Sequence, residues 1–147
     1  IHVVNRSAIP EIPDDRQYSL ERMSEALRIA DVLILTLPLT PRTQHLINGP
    51  ALAKMKRSAI LINVARGGLV DENALIEALS TGQIAGAATD VTTVEPLPVS
   101  SPLWDCPNLF ITPHCAASGS QSTYRRICDS IEQGFSNALA LVARQKQ

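Results

Sequence analysis

Residues 60–72, ILINVARGGLVDE, decide the fold. Residues 59–64 form an apolar run, rich in branched side chains and without alternation. That is the pattern of a strand buried in a parallel sheet. The run ends at Arg66, two glycines follow, and Asp71 is placed to open a helix. A strand therefore delivers an arginine to a tight loop at its carboxyl end. In open α/β sheets, ligands bind in the crevice outside those ends. A guanidinium there offers a rigid fork of donors that matches a carboxylate.

Working outward, the same alternation recurs. Residues 1–4 and 32–37 read as apolar strands, and residues 83–91 as a strand of small residues that lets a helix or a ligand approach its backbone. Residues 109–111 read as a last short strand. Between them, residues 11–17 read as a polar loop. Ser19 is expected to cap a helix carrying Leu20, Met23, Leu27 and Ile29. Asn48, with Pro50 behind it, is expected to cap another helix to about residue 56. Asp71 caps a third helix with Leu75, Ile76 and Leu79 toward the core, and Gly82 ends it. Ser101 starts a short turn in which Trp104 reads as a packing anchor. Ser118 or Ser120 caps a long helix over residues 118–143. Its stripe is Tyr124, Ile127, Ile131, Phe135, Ala138 and Val142, a core or dimer face, and Gly134 within it hints at close packing. Strand–helix alternation predicts an α/β fold with a parallel, doubly wound, Rossmann-like sheet.

Composition narrows the function. The formal net charge of −1 leaves no basic face for nucleic acid, and an aromatic content of 3% leaves few stacking platforms. No apolar run reaches membrane-spanning length. Cys106, Cys115 and Cys128 lack metal-site spacing and fit a reducing, cytoplasmic compartment.

Three polar residues lie at or just after the carboxyl ends of successive strands: Arg66, Glu95 and His114. Right-handed crossovers put those ends on one edge of the sheet. Histidine exchanges a proton near neutrality. A carboxylate on its second nitrogen fixes the tautomer and favours the protonated ring. An arginine can hold a substrate carboxylate and polarise the neighbouring carbonyl. With a hydride from a nicotinamide, the trio suits reduction of a 2-oxo acid to a 2-hydroxy acid. Arg6 and Ser7 follow this chain's opening strand, at the place where the second strand of a dinucleotide-binding unit ends at the adenosine ribose. An acid there serves NAD and an arginine serves the 2′-phosphate of NADP, so Arg6 and Ser7 favour NADP.

INVARGGLVDENALIEAL (residues 62–79), GAATDVTTVEPLP (86–98) with SPLW (101–104), and NLFITPHCAAS (108–118) resemble the D-isomer-specific 2-hydroxyacid dehydrogenases. The resemblance implies that Arg66 binds substrate, His114 is the acid/base and Glu95 its partner. It implies cofactor contacts from Pro38 and Thr43 in PLTPRT, from Val64, Ala65 and Arg66, from Asp90, and from His114, Cys115, Ala116 and Ala117. Arg6, Ser7 and the DVTTVEPLP run look like the glyoxylate and hydroxypyruvate reductase branch, with NADP, or else NAD, as cofactor. A homodimer is the implied assembly.

The sequence also departs from the family pattern. It opens at what should be the second strand and contains neither the glycine-rich pyrophosphate turn nor the substrate domain. In the usual order 3-2-1-4-5-6 the first strand is central, so two apolar strand edges should face a gap. Residues 1–147 are therefore expected to be a partial dinucleotide-binding domain, the C-terminal portion of an enzyme and inactive or nearly so alone. The competing class is a non-catalytic nucleotide-sensing or dimerisation module of the corepressor kind, since a fold does not fix a function.

Overall fold

The computed structural model describes residues 1–116, and the chain divides into two compact units, Ile1–Pro113 and His114–Gln147. The long helix expected over residues 118–143 lies outside the described residues. In the first unit, β1 (Val3–Val4) and β2 (Gln17–Tyr18) pair in parallel as a two-stranded sheet. Strands β3 (Val32–Leu35), β4 (Ile60–Asn63), β5 (Gly86–Thr89) and β6 (Leu109–Ile111) form a second parallel sheet in the order β3-β4-β5-β6. The strands thus fall into two sets, divided between β1 and β3, where the expected strand order places strand 1.

Register fixes which side chains share a face. Leu33, Leu61, Ala87 and Leu109 lie side by side, as do Leu35, Asn63, Thr89 and Ile111. On this face Leu35, Leu61 and Ala87 join Leu52, Leu75, Leu79 and Ile84 in one buried cluster. Each fully buried leucine or isoleucine there contributes about 1.5–3 kcal/mol relative to exposure. The opposite row is Ile34, Ile62, Ala88 and Phe110, of which Ile34 is 54% and Phe110 67% exposed. Burial on both faces was expected. Instead β4 alternates, with Leu61 and Asn63 buried and Ile60 and Ile62 half-buried.

Helix boundaries refine the sequence reading. Ser19 precedes a 3-10 turn, Leu20–Arg22, and makes no side-chain cap bond. Helix α1 (Met23–Ile29) begins only afterwards. It buries Ala26 and Leu27, while Leu20 and Ile29 are exposed. Residues 11–17 are not wholly loop, because Gln17 enters β2. Its side chain braces the preceding turn, accepting from Ile9 N at 2.7 Å and donating to Ile12 O at 2.6 Å. Asn48 caps α2 (Gly49–Leu52) as expected, although that helix is a single turn. Asp71 caps α3 (Glu72–Ser80) by accepting from Asn73 N and Ala74 N at 3.1 and 3.2 Å. Its buried residues are Leu75, Ala78 and Leu79, with Ala78 in the place expected of Ile76. Gly82 ends α3 with φ +64°, a conformation glycine adopts without a side-chain penalty. Trp104 is not a buried anchor. It is 53% exposed, its indole donates to Pro98 O at 2.9 Å, and the neighbouring Leu103 fills the core.

Candidate active site

The Arg66 loop is built by a buried asparagine. Asn63 ends β4 at 3% exposure. Its Oδ1 accepts from Ala65 N at 3.1 Å and its Nδ2 donates to Arg66 O at 2.9 Å. Both amide ends are thus satisfied, as burial requires. The chain turns sharply, leaving Arg66 extended and exposed at the head of a 3-10 turn, Gly67–Leu69. Among the described residues, its guanidinium donates only to its own neighbour, Ala65 O, at 2.5 Å.

Main-chain bonds and one close packing contact tie three strand-end loops together. The loop after β3 donates from His45 N to Gly68 O at 2.8 Å and from Ile47 N to Leu69 O at 3.0 Å, and Asp71 N returns a bond to Ile47 O at 3.0 Å. On the other side, Gly67 packs on the loop after β5. A Cβ built on Gly67 would lie 2.1 Å from the Thr92 carbonyl carbon and 2.4 Å from Thr93 N. Only glycine permits this approach. The carboxyl ends of β3, β4 and β5 therefore make one surface, as the crossover argument requires.

Glu95 sits exposed in the loop after β5, where its Oε1 accepts from Thr92 N at 3.0 Å. Asp90, directly after β5, is 5% exposed, and Thr112 Oγ1 donates to its carboxylate at 2.5 Å. Val64 is 41% exposed and Ala65 half-buried. In the loop after β3, Thr43 Oγ1 donates to Pro38 O at 2.9 Å and accepts from Thr40 N at 2.7 Å, so Pro38 and Thr43 are fixed to one another. Arg6 and Ser7 are exposed just beyond β1, with Arg6 N donating to Asn5 Oδ1 at 2.9 Å.

The first unit therefore brings the Arg66 and Glu95 loops together. His114 opens the second unit two residues after Thr112, with φ +52°, followed by Cys115 and Ala116. Ala117 lies outside the described residues. Sequence reasoning missed Asn63, Glu72 and Thr112 as residues that shape the site. The available signal was a polar residue interrupting a strand end: Asn63 breaks the apolar run, and Thr112 ends the last strand. Among the described residues, no helix is long and apolar enough to cross a membrane.

Comparison with known proteins identifies the family. The family described as D-isomer specific 2-hydroxyacid dehydrogenase, NAD binding domain, matches residues 1–116. A glyoxylate/hydroxypyruvate reductase B of Pectobacterium carotovorum is 55% identical over 95 residues, covering 65% of this chain and 30% of its own length. A glycerate dehydrogenase of Methylorubrum extorquens is 47% identical over 117 residues, covering 78% and 36%. Among solved structures, a D-isomer specific 2-hydroxyacid dehydrogenase of Xanthobacter autotrophicus in complex with NADPH and MES is similar with a TM-score of 0.67 at 48% identity. That match covers 71% of this chain and 34% of the other. The chain thus spans about a third of the length of these curated relatives. The matched span shows the family: the chain belongs to the D-isomer-specific 2-hydroxyacid dehydrogenases, an oxidoreductase family, through their NAD-binding domain.

Proposed function

We propose that residues 1–147 are part of the dinucleotide-binding domain of an NAD(P)-dependent enzyme that reduces a small 2-oxo acid, of the glyoxylate or hydroxypyruvate class, to a 2-hydroxy acid. The observation that carries this reading is the junction of the Arg66 and Glu95 loops through Gly67. Arg66 is exposed with donors to spare, and it holds the substrate carboxylate. By the family resemblance, His114 is the acid that gives the carbonyl oxygen its proton and Glu95 is its partner.

The residues fit a nicotinamide cofactor. Exposed Leu39 and Val64 offer apolar contact on two of the joined loops, and the family resemblance puts Asp90, directly after β5, near the nicotinamide. Bound there, the cofactor supplies the hydride. Arg6 and Ser7 read the 2′-phosphate, which favours NADP. Relatives' names support the substrate class. Residues 1–147 include no glycine-rich turn, so turnover is expected of the full-length protein and little or none of this span alone. A homodimer belongs to the same proposal and is read by sedimentation.

The test is NADPH oxidation by the full-length protein with glyoxylate or hydroxypyruvate, beside Arg66→Ala and Glu95→Ala. Loss of turnover in both variants supports the reading. Full activity in either removes that residue from the site.

A further inference from the structure

We propose that Glu72 is a positioning residue that holds the Glu95 loop in register with Arg66; the inference rests on the reading above. Glu72 is the first residue of α3, six residues beyond Arg66. It is not needed to cap that helix, because Asp71 already accepts from Asn73 N and Ala74 N. Its Oε1 instead reaches across to accept from Thr93 N at 2.7 Å, 21 residues away in sequence. The preceding amide, Thr92 N, donates to Glu95 Oε1 at 3.0 Å. Two successive amides of one peptide segment are thus gripped by two glutamates, one on α3 and the other the proposed partner of the histidine. Gly67 presses on the same Thr92–Thr93 peptide from beside Arg66.

The contact at Gly67 prevents the loop from moving inward, because main-chain atoms already touch there. Only an attractive bond resists movement outward, and Glu72 supplies it. A charge-assisted N–H to carboxylate bond is among the stronger tethers available to a loop. Removing it frees Thr93, and with it the segment that presents Glu95. Catalytic groups misplaced by about 1 Å lose on the order of 100-fold in rate.

Three substitutions in the full-length protein separate this tether from the generic benefit of an acid at a helix start. Glu72→Gln keeps the acceptor oxygen and loses the charge. Glu72→Asp keeps the charge and withdraws the carboxylate by about one carbon–carbon bond, 1.5 Å. Glu72→Ala loses both. Positioning predicts that Gln retains kcat within about threefold, while Asp and Ala lose about 10- to 100-fold in kcat with the nucleotide KM unchanged. Amide exchange at Thr93, measured without substrate, should quicken in Asp and Ala and not in Gln. The reverse order, Asp like the parent and Gln impaired, overturns the proposal in favour of a helix-terminus effect. A flat series, with Arg66→Ala and Glu95→Ala still inactive, overturns it and leaves the site reading intact. Activity persisting in Arg66→Ala and Glu95→Ala overturns the site reading, and Thr93 exchange then reports on the tether alone.

Discussion

Substituting Gly67 by alanine tests the junction on which the site depends. The added Cβ would lie 2.1 Å from the Thr92 carbonyl carbon, 2.3 Å from its oxygen and 2.4 Å from Thr93 N. Ordinary van der Waals contact begins at 3.4 Å, so the facing peptide must retreat by about 1.3 Å. These are main-chain atoms, and no rotamer change relieves the overlap. Overpacking of this kind costs about 1–3 kcal/mol. The same retreat carries Glu95 away from Arg66, for which a loss near 100-fold in kcat/KM is expected. Urea unfolding of the full-length protein reads the first effect as a lower midpoint at unchanged slope. NADPH oxidation reads the second. Gly82→Ala is the control: nothing lies within 4 Å of its Cβ, and φ is +64°. It should lose about 1–2 kcal/mol from backbone strain alone and leave kcat/KM unchanged. A Gly67→Ala protein with the parent's midpoint, or with the kinetics of Gly82→Ala, would refute the argument that this contact sets the distance between the two loops.

Asn63→Ala strips the partners from Ala65 N and Arg66 O in a partly buried turn. A destabilisation of about 1–3 kcal/mol is expected in denaturant titration, with a raised KM for the keto acid as Arg66 loses its fixed backbone. Arg6→Asp should turn cofactor choice toward NADH, and an unaltered NADPH-to-NADH ratio of kcat/KM would eliminate Arg6 as the phosphate reader. Burial first, then the neighbouring Asp105 charge, push the Cys106 thiol up. At pH 8 the folded protein holds less thiolate there than the unfolded chain. Iodoacetamide should therefore label Cys106 more slowly before urea is added than after, as followed by peptide mass mapping.

Elements with a strong local signal were legible. The apolar runs of β3 and β4 stand out against any neighbour, and Asp71 followed by an apolar stripe marks a helix start by hydrogen-bonding chemistry alone. β2 was not legible, because two residues carry no period and Gln17 is held by polar bonds to Ile9 and Ile12 that no hydrophobic pattern reports. Trp104 misled for a related reason. Size suggests burial, yet an indole whose N–H bonds a nearby carbonyl can lie half on the surface while the smaller Leu103 fills the core. Arg66 and Glu95 were legible as strand-end residues. What joins their loops was not, because the Gly67 contact is with residues 25 positions on, and a glycine in sequence does not say which backbone it will meet.

The weld between the loops after β3 and β4 is made of peptide groups, while the loop after β5 is held by the Gly67 contact and the Glu72 side chain. A frame drawn in main chain is indifferent to the side chains it displays. Val64 and Val94, which project at 41% and 57% exposure, can be exchanged without loosening it. Libraries diversified at those two places should therefore alter nucleotide and keto-acid affinity while keeping the melting behaviour of the parent, so this rim is the natural place to begin probing the proposed activity.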